Sequence, residues 1–169
     1  MRRHSALIED LALGAAAGYL ATKAMEPVSM KLYQWEPEAA RAREDAVRPG
    51  PPFQIAAQKT ANLLGIKLTE RQLQRAGLAF HYGLALGWAP LYGVIRRRWH
   101  TPAVPTALGL GAAMSAIVDE GLTPLLGYSA PNRAYPAVTH LRGFLAHLVF
   151  AGATAVVTET GWALSHRRP

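Results

Sequence analysis

Long apolar stretches dominate the chain, and three of them, residues 76–95, 101–118 and 143–158, contain no charged side chain. A fourth apolar stretch, residues 11–22, is shorter and is flanked by charged residues. A run of about 18 or more apolar residues is long enough to cross a lipid bilayer as an α-helix. The pattern therefore predicts an all-α, polytopic membrane protein, a bundle of four transmembrane helices that forms one domain over residues 1–169. The predicted spans are about residues 7–33, 74–99, 104–128 and 138–164.

Overall composition does not separate a membrane protein from a compact soluble helical bundle. Hydrophobic residues make up 50% of the chain and the mean hydropathy is +0.06, values that both classes show. The glycines favour the membrane protein. Gly14 and Gly18, like Gly83 and Gly87, are four residues apart. This spacing weakens soluble helices but allows close packing of helices in membranes.

The longest connection, residues 34–73, is predicted to lie outside the membrane. Its RAREDAVRPGPP segment is polar and ends in a Pro-Gly-Pro-Pro breaker, which predicts a loop. The following FQIAAQKTANLLG places apolar residues among polar ones and stops at Gly65, which predicts a short amphipathic helix. Such a helix either lies on the membrane surface or caps the bundle.

Local signals also mark the second span. Thr69, with Gln72 three residues later, fits a capping box and predicts that the helix starts there. Pro90 lies inside the apolar stretch, so the sequence predicts a kink in this span.

The distribution of basic residues predicts the orientation. The net charge is +7, and in a four-span chain the arginines of the N-terminus, the short second loop and the C-terminus share one side. Because basic loops tend to stay in the cytoplasm, we expect a multi-pass protein of the bacterial inner membrane with both termini cytoplasmic. The arginines are Arg2 and Arg3, Arg96 to Arg98, and Arg167 and Arg168. No basic stripe with interleaved aromatic residues is present, so the expected partner is the lipid bilayer and not a nucleic acid.

Each predicted span carries an ionisable residue toward its outer end. With the N-terminus in the cytoplasm, these residues are Glu26, His81, Glu120 and His147. Small residues precede both glutamates at helical spacing. Since small residues mark helix contacts in membranes, we expect the ionisable side chains to face the interior of the bundle.

Two carboxylates and two imidazoles at one depth are the ligand types of a divalent-metal site for zinc or iron. The predicted metal ligands are Glu26, His81, Glu120 and His147, and the predicted surrounding residues are Asp119, His140 and Arg142. Proton handling or transport of a small solute would use the same groups. A haem b held by His81 and His147 is a further alternative.

The residues and motifs that the sequence lacks exclude several kinds of site. The chain has no cysteine, which excludes disulfides, thiolate ligands and covalently attached c-type haem. It has no nucleophile paired with a base, no phosphate loop and no nucleotide fingerprint. Enzymatic activity would therefore need a bound metal or cofactor and is left open. The competing hypothesis is an accessory subunit whose polar cluster only locks the helices, with a second copy or another membrane protein as partner.

Short similarities between the two halves predict two hairpin repeats related by an axis along the membrane normal. The first and third spans read LGAAAGYLATKAMEP and LGLGAAMSAIVDEGLTP. The second and fourth spans share a Gly-x-x-x-His pattern, which ends at His81 and at His147.

The stretch EGLTPLLGYSAPNRAYPAVTHLRGFLAHLVF, residues 120–150, resembles the third and fourth spans of the YagU-like family of small bacterial inner-membrane proteins. Its Gly-Leu-Thr-Pro, the spaced Pro136 and the Gly-x-x-x-His-Leu-Val ending carry the resemblance. The AGLAFHYGLALG stretch is similar to the histidine-bearing second hydrophobic segment of that family. The likeness covers the C-terminal two thirds of the chain and implies an inner-membrane protein of this topology without an assigned activity.

Overall fold

The computed structural model describes the backbone of residues 2–165 and the side chains of residues 8–165, and all regular elements in this part are helices. The predicted all-α fold is confirmed. The side chains of Arg2 and Arg3 and residues 166–169, which contribute to the predicted orientation, lie outside the described part. In chain order the elements are α1 (Arg2–Trp35), α2 (Glu38–Val47), α3 (Pro52–Leu63), α4 (Glu70–Trp88), α5 (Pro90–Trp99), α6 (Ala103–Met114), a π-helical segment (Ser115–Leu122), α7 (Thr123–Leu125), a 3-10 turn (Asn132–Ala134) and α8 (Ala137–Leu164).

Four helical columns run alternately up and down to form the bundle. α1 and α8 are single columns, α4 and α5 form the second, and α6, the π-helical segment and α7 form the third. α1 and α6 pack along α8, and α1 also packs against α4 and α5. At one end, the Asp10 end, Asp10 binds Arg97 and Trp162. At the other, the Glu36 end, Glu36 binds Arg142.

Glycines let α1 and the second column approach closely. A Cβ atom on Gly18 would lie 2.6 Å from the carbonyl oxygen of Ala85, and one on Gly14 would lie 2.7 Å from the backbone of the same column. The predicted packing role of these two glycines is confirmed. The same prediction for Gly83 and Gly87 is wrong, because both face open space.

Two of the columns are long and apolar enough to cross a membrane. They are Glu70–Trp99 and Ala137–Leu164, with mean hydropathies of 1.3 and 1.5. In the 18-residue apolar stretch of each column, only 22% and 28% is buried. Most of this apolar surface therefore faces outward, unlike that of a core helix in a soluble bundle. α1 contains Lys23 and Glu26, and the third column is divided into shorter elements, so neither is one uninterrupted apolar helix.

The connection between the first two columns contains two helices where the sequence predicts one. The predicted amphipathic helix is α3, which buries Ala56, Ala57 and Ala61 and packs against α4. It therefore lies against the bundle and covers part of the second column.

α2 forms where the sequence predicts a loop. Its four alanines favour helix, Pro37 precedes its first turn, and Glu38 in that turn complements the helix dipole. The buried Glu44 bonds Arg142 of α8 and so holds the helix in place. The helix ends before Pro49, where the predicted Pro-Gly-Pro-Pro breaker begins.

The predicted start of the second column is confirmed. The backbone N–H of Thr69 donates to Oε1 of Gln72 at 2.8 Å, and the Thr69 side chain accepts from the backbone N–H of Gln72. This capping box starts α4. α4 ends at Trp88 and Pro90 begins α5, and Ala89 between them keeps α-helical torsion angles, so the kink at Pro90 stays a prediction.

Candidate functional site

A polar cavity of about 360 Å³ opens at the Glu36 end of the bundle. The π-helical segment, the start of α8, the loop between them and α2 contribute to its walls. Side chains that line it include Ser29, Asp119, Glu120, Asn132, Thr139 and His140. Arg48 and Arg142 also line it, so acidic and basic residues share this cavity.

The π-helical segment positions the two acidic residues of this cavity. It spans Ser115–Leu122, and such segments, with hydrogen bonds from residue i to i+5, occur frequently at functional sites. Pro124 has no amide N–H, so it cannot supply the usual α-helical hydrogen bond to the carbonyl of Glu120. The side chain of Asn132 supplies one instead, with Nδ2 2.8 Å from that carbonyl oxygen.

Glu120, Asn132 and His140 form a closed hydrogen-bonded group. His140 Nδ1 lies 2.7 Å from Oε1 of Glu120, and Nε2 lies 3.1 Å from the carbonyl oxygen of Asn132. A carbonyl oxygen only accepts, so Nε2 carries a proton. The Nδ1 to Oε1 contact needs one further proton, held by either the imidazole or the carboxyl group. Glu120 and His140 therefore share a proton at the cavity wall.

Asp119 and His147 form a second carboxylate–imidazole pair. Nδ1 of His147 donates to the carbonyl oxygen of Gly143 at 3.0 Å, which leaves Nε2 of the neutral ring as an acceptor. Nε2 lies 3.6 Å from Oδ2 of Asp119. A Cβ atom at position 143 would lie 3.2 Å from the same oxygen, so Gly143 makes room for this carboxylate.

Arg142 binds two buried glutamates from the connection between the first two columns. Nη1 lies 2.5 Å from Oε1 of Glu36, and Nη2 lies 2.8 Å from both carboxylate oxygens of Glu44. Thr139 donates to Oε2 of Glu44 at 2.9 Å, and Arg48 also binds this carboxylate. The side chains of Glu36 and Glu44 are only 2% and 1% exposed. Both carboxylates are therefore buried, and the cluster ties α2 to α8.

Glu26 and His81 lie apart from these pairs. Glu26 binds Lys23 at 3.2 Å on a partly exposed face of α1. His81 stacks on Phe53 of α3, with ring centroids 4.7 Å apart.

The predicted metal ligands are not gathered into one cluster. Among residues 8–165, no three histidine, aspartate or glutamate side chains are arranged to hold a metal ion together. Of the four, Glu120 is bound to His140 and His147 faces Asp119, so these two predicted ligands each contact a residue that was predicted to surround the site. Glu26 and His81 contact neither pair directly.

The sequence pattern does not predict a role for three residues of this region: Glu36, Glu44 and Asn132. The contacts of Glu36 and Glu44 with Arg142 join residues 106 and 98 positions apart, which no local pattern indicates. A signal for Asn132 exists in the sequence. Pro124 cannot donate to the carbonyl of Glu120, so this carbonyl needs a donor from elsewhere. The short loop after α7 is rich in proline and polar residues and contains Asn132.

Comparisons of the sequence with protein-family models and curated proteins, and of the fold with solved structures, find no match. The geometry of the site is therefore the basis for assigning a function.

Proposed function

We propose that the chain is an integral protein of the bacterial inner membrane with four spans and cytoplasmic termini. Two columns are apolar and face mostly outward, and the third column also exposes large apolar side chains at Val104, Leu108 and Ile117. The arginines at the end of α5 lie at the Asp10 end, together with the last turn of α8. The resemblance of residues 120–150 supports the further proposal that the chain is a YagU-like protein.

Single cysteines test this topology cleanly, because the chain has none of its own. Lys67 lies between α3 and α4, whereas Trp99 and Leu164 lie at the Asp10 end, and all three side chains are exposed. In intact cells we expect a membrane-impermeant maleimide to label Lys67→Cys. Trp99→Cys and Leu164→Cys should be labelled only after the membrane is opened. Labelling of all three in intact cells, or recovery of the chain in the aqueous fraction, would contradict the four-span topology.

We infer that the polar cavity takes up protons from the outer solution and passes them into the bundle through His147. The observation that supports this role is a cavity lined by Asp119, Glu120 and His140, with His147 beside Asp119. The side chains of Asp119 and Glu120 are 35% and 36% exposed, so they can exchange protons with solvent in the cavity.

A role restricted to locking the helices suits a different part of the protein. The carboxylates of the Arg142 cluster are buried, and the cluster joins α2 to α8, as expected of a structural lock. Unlike the buried carboxylates of Glu36 and Glu44, the side chains of Asp119 and Glu120 are 35% and 36% exposed. Their exposure to the cavity favours proton exchange over a purely structural role.

The double substitution Asp119→Asn and Glu120→Gln tests proton movement, because it removes both ionisable carboxyl groups and keeps their shape. Proteoliposomes loaded with a pH-sensitive dye report the rate of proton entry after an external pH step. We expect the wild type to conduct and the double variant to conduct at least about tenfold more slowly, since an amide cannot carry the proton.

The matched control is Glu70→Gln, the same chemical change on an exposed residue in the first turn of α4. It should keep the wild-type rate. Equal rates in the wild type and the double variant would remove the proposed role, as would a wild-type rate no higher than that of empty liposomes.

One contact favours a divalent metal as a second candidate ligand. Two ligands of a tetrahedral zinc ion lie about 3.4 Å apart, close to the 3.6 Å between Nε2 of His147 and Oδ2 of Asp119. The hydrogen bond from Nδ1 to a backbone carbonyl is the usual support of a metal-bound histidine. Zinc or iron bound there would take its remaining ligands from water.

Calorimetric titration with zinc tests this candidate in the wild type, in His147→Gln and in His100→Gln. His100 is exposed at the end of α5 and serves as the control. We expect binding to be lost in His147→Gln alone. Zinc binding that survives in His147→Gln would place the ion elsewhere.

A further inference from the structure

A small cavity of about 170 Å³ lies on the surface between the end of α1 and the start of α8. Its apolar lining consists of Leu32, Trp35, Val138, Leu141 and Leu145, and Glu36 and Arg142 also line it. Trp35 and Leu141 are 70% and 55% exposed. In the proposed topology this open side faces lipid near the outer surface of the membrane, where tryptophan is favoured.

The carboxylate of Glu36 is only partly satisfied by the protein. Its Oε1 accepts a hydrogen bond from Arg142, whereas its buried Oε2 receives none. A buried carboxylate oxygen without a donor is unfavourable, and a charged N–H group is its strongest partner. Because Glu36 is one of the residues that line the cavity, a ligand with an ammonium group and an apolar tail would complement its carboxylate and the apolar walls.

A positive charge lies beside this cavity. Nζ of Lys31 is 5.5 Å from the ring centroid of Trp35, and the Lys31 side chain is exposed. Arg142 is already engaged by Glu36 and Glu44. Lys31 is therefore a cation beside Trp35 that can meet a phosphate group.

We propose that this cavity binds an amine-bearing phospholipid of the phosphatidylethanolamine class. The lipid ammonium donates to Oε2 of Glu36, its phosphate lies near Lys31, and an acyl chain packs against Leu141 and Leu145. This inference rests on the membrane topology proposed above and is independent of the proton role of the polar cavity.

Native mass spectrometry of the detergent-purified chain tests the proposal with lipids that share acyl chains and differ in headgroup. Phosphatidylethanolamine has ammonium N–H donors, whereas the trimethylated headgroup of phosphatidylcholine has none. We expect the wild type to retain phosphatidylethanolamine over phosphatidylcholine by about tenfold, the value of one charge-assisted hydrogen bond. Phosphatidylglycerol, which offers hydroxyl donors without a positive charge, should also be retained less.

Glu36→Gln should abolish this preference, so that the two lipids are retained about equally. Glu38→Gln, the same change on an exposed residue nearby, should leave the preference intact. Leu141→Trp fills the cavity without touching the charges and should lower retention of every headgroup. Equal retention of the lipids by the wild type, a stronger retention of phosphatidylglycerol, or an unchanged preference in Glu36→Gln would overturn the lipid site alone. A chain that purifies without detergent and carries no lipid would instead overturn the membrane topology.

Discussion

Replacing Arg142 with methionine is expected to lower the free energy of unfolding by about 3–5 kcal/mol, the cost of leaving buried charges without their partner. The guanidinium binds Glu36 and Glu44, whose side chains are only 2% and 1% exposed. Methionine keeps much of the volume of arginine, so a cavity contributes little to the loss. Unfolding in detergent measures the stability. Trypsin should also cleave α2 faster at Arg41 and Arg43, because the helix loses its main tie to α8.

Two comparisons identify the cause of this loss. Arg71→Met removes an exposed arginine at the start of α4 and should cost less than about 0.5 kcal/mol. In a background that carries Glu36→Gln and Glu44→Gln, Arg142→Met should also cost far less, since the buried charges are gone. Equal losses in Arg142→Met and Arg71→Met would mean that the ion-pair cluster does not hold α2.

The apolar pattern predicts most of the fold because burial against neighbouring helices or lipid requires it. The start of α4 at Thr69 and the boundary before Pro90 can also be predicted from the sequence. Helix capping and the missing N–H of proline both act within one turn of helix. α2 is different. Its sequence is polar, and its position depends on Glu44 meeting Arg142 98 residues away, which no local pattern can indicate.

The predicted site contains the right kinds of residue in the wrong pairs, and the π-helical segment gives the reason. Regular α-helical spacing places Glu120 on one face with Gly109 and Ala116, yet both of these are exposed. The face that is buried carries Gly111 and Val118. The wider turns of Ser115–Leu122 change which residues share a face. Asp119 therefore faces His147, and Glu120 is left to bind His140.

Gly111→Ala is expected to lower the free energy of unfolding by about 1–3 kcal/mol, the usual cost of overpacking. The added Cβ would lie 2.7 Å from the carbonyl oxygen of His147 and 3.0 Å from Cα of Leu148. Both are backbone atoms that a change of rotamer cannot move, so α6 must shift away from α8 at the level of His147. Since Asp119 follows α6 in the same column, the shift should also disturb its contact with His147 and slow proton entry in proteoliposomes.

Gly109→Ala is the matched control, because Gly109 lies two residues earlier in α6 and faces open space. Alanine favours helix over glycine, so this variant should gain up to about 1 kcal/mol in the same unfolding measurement. Opposite signs for the two variants would show that the contact between α6 and α8 is responsible. A destabilised Gly111→Ala that retains the wild-type rate of proton entry would show that proton movement does not depend on the pairing of Asp119 with His147.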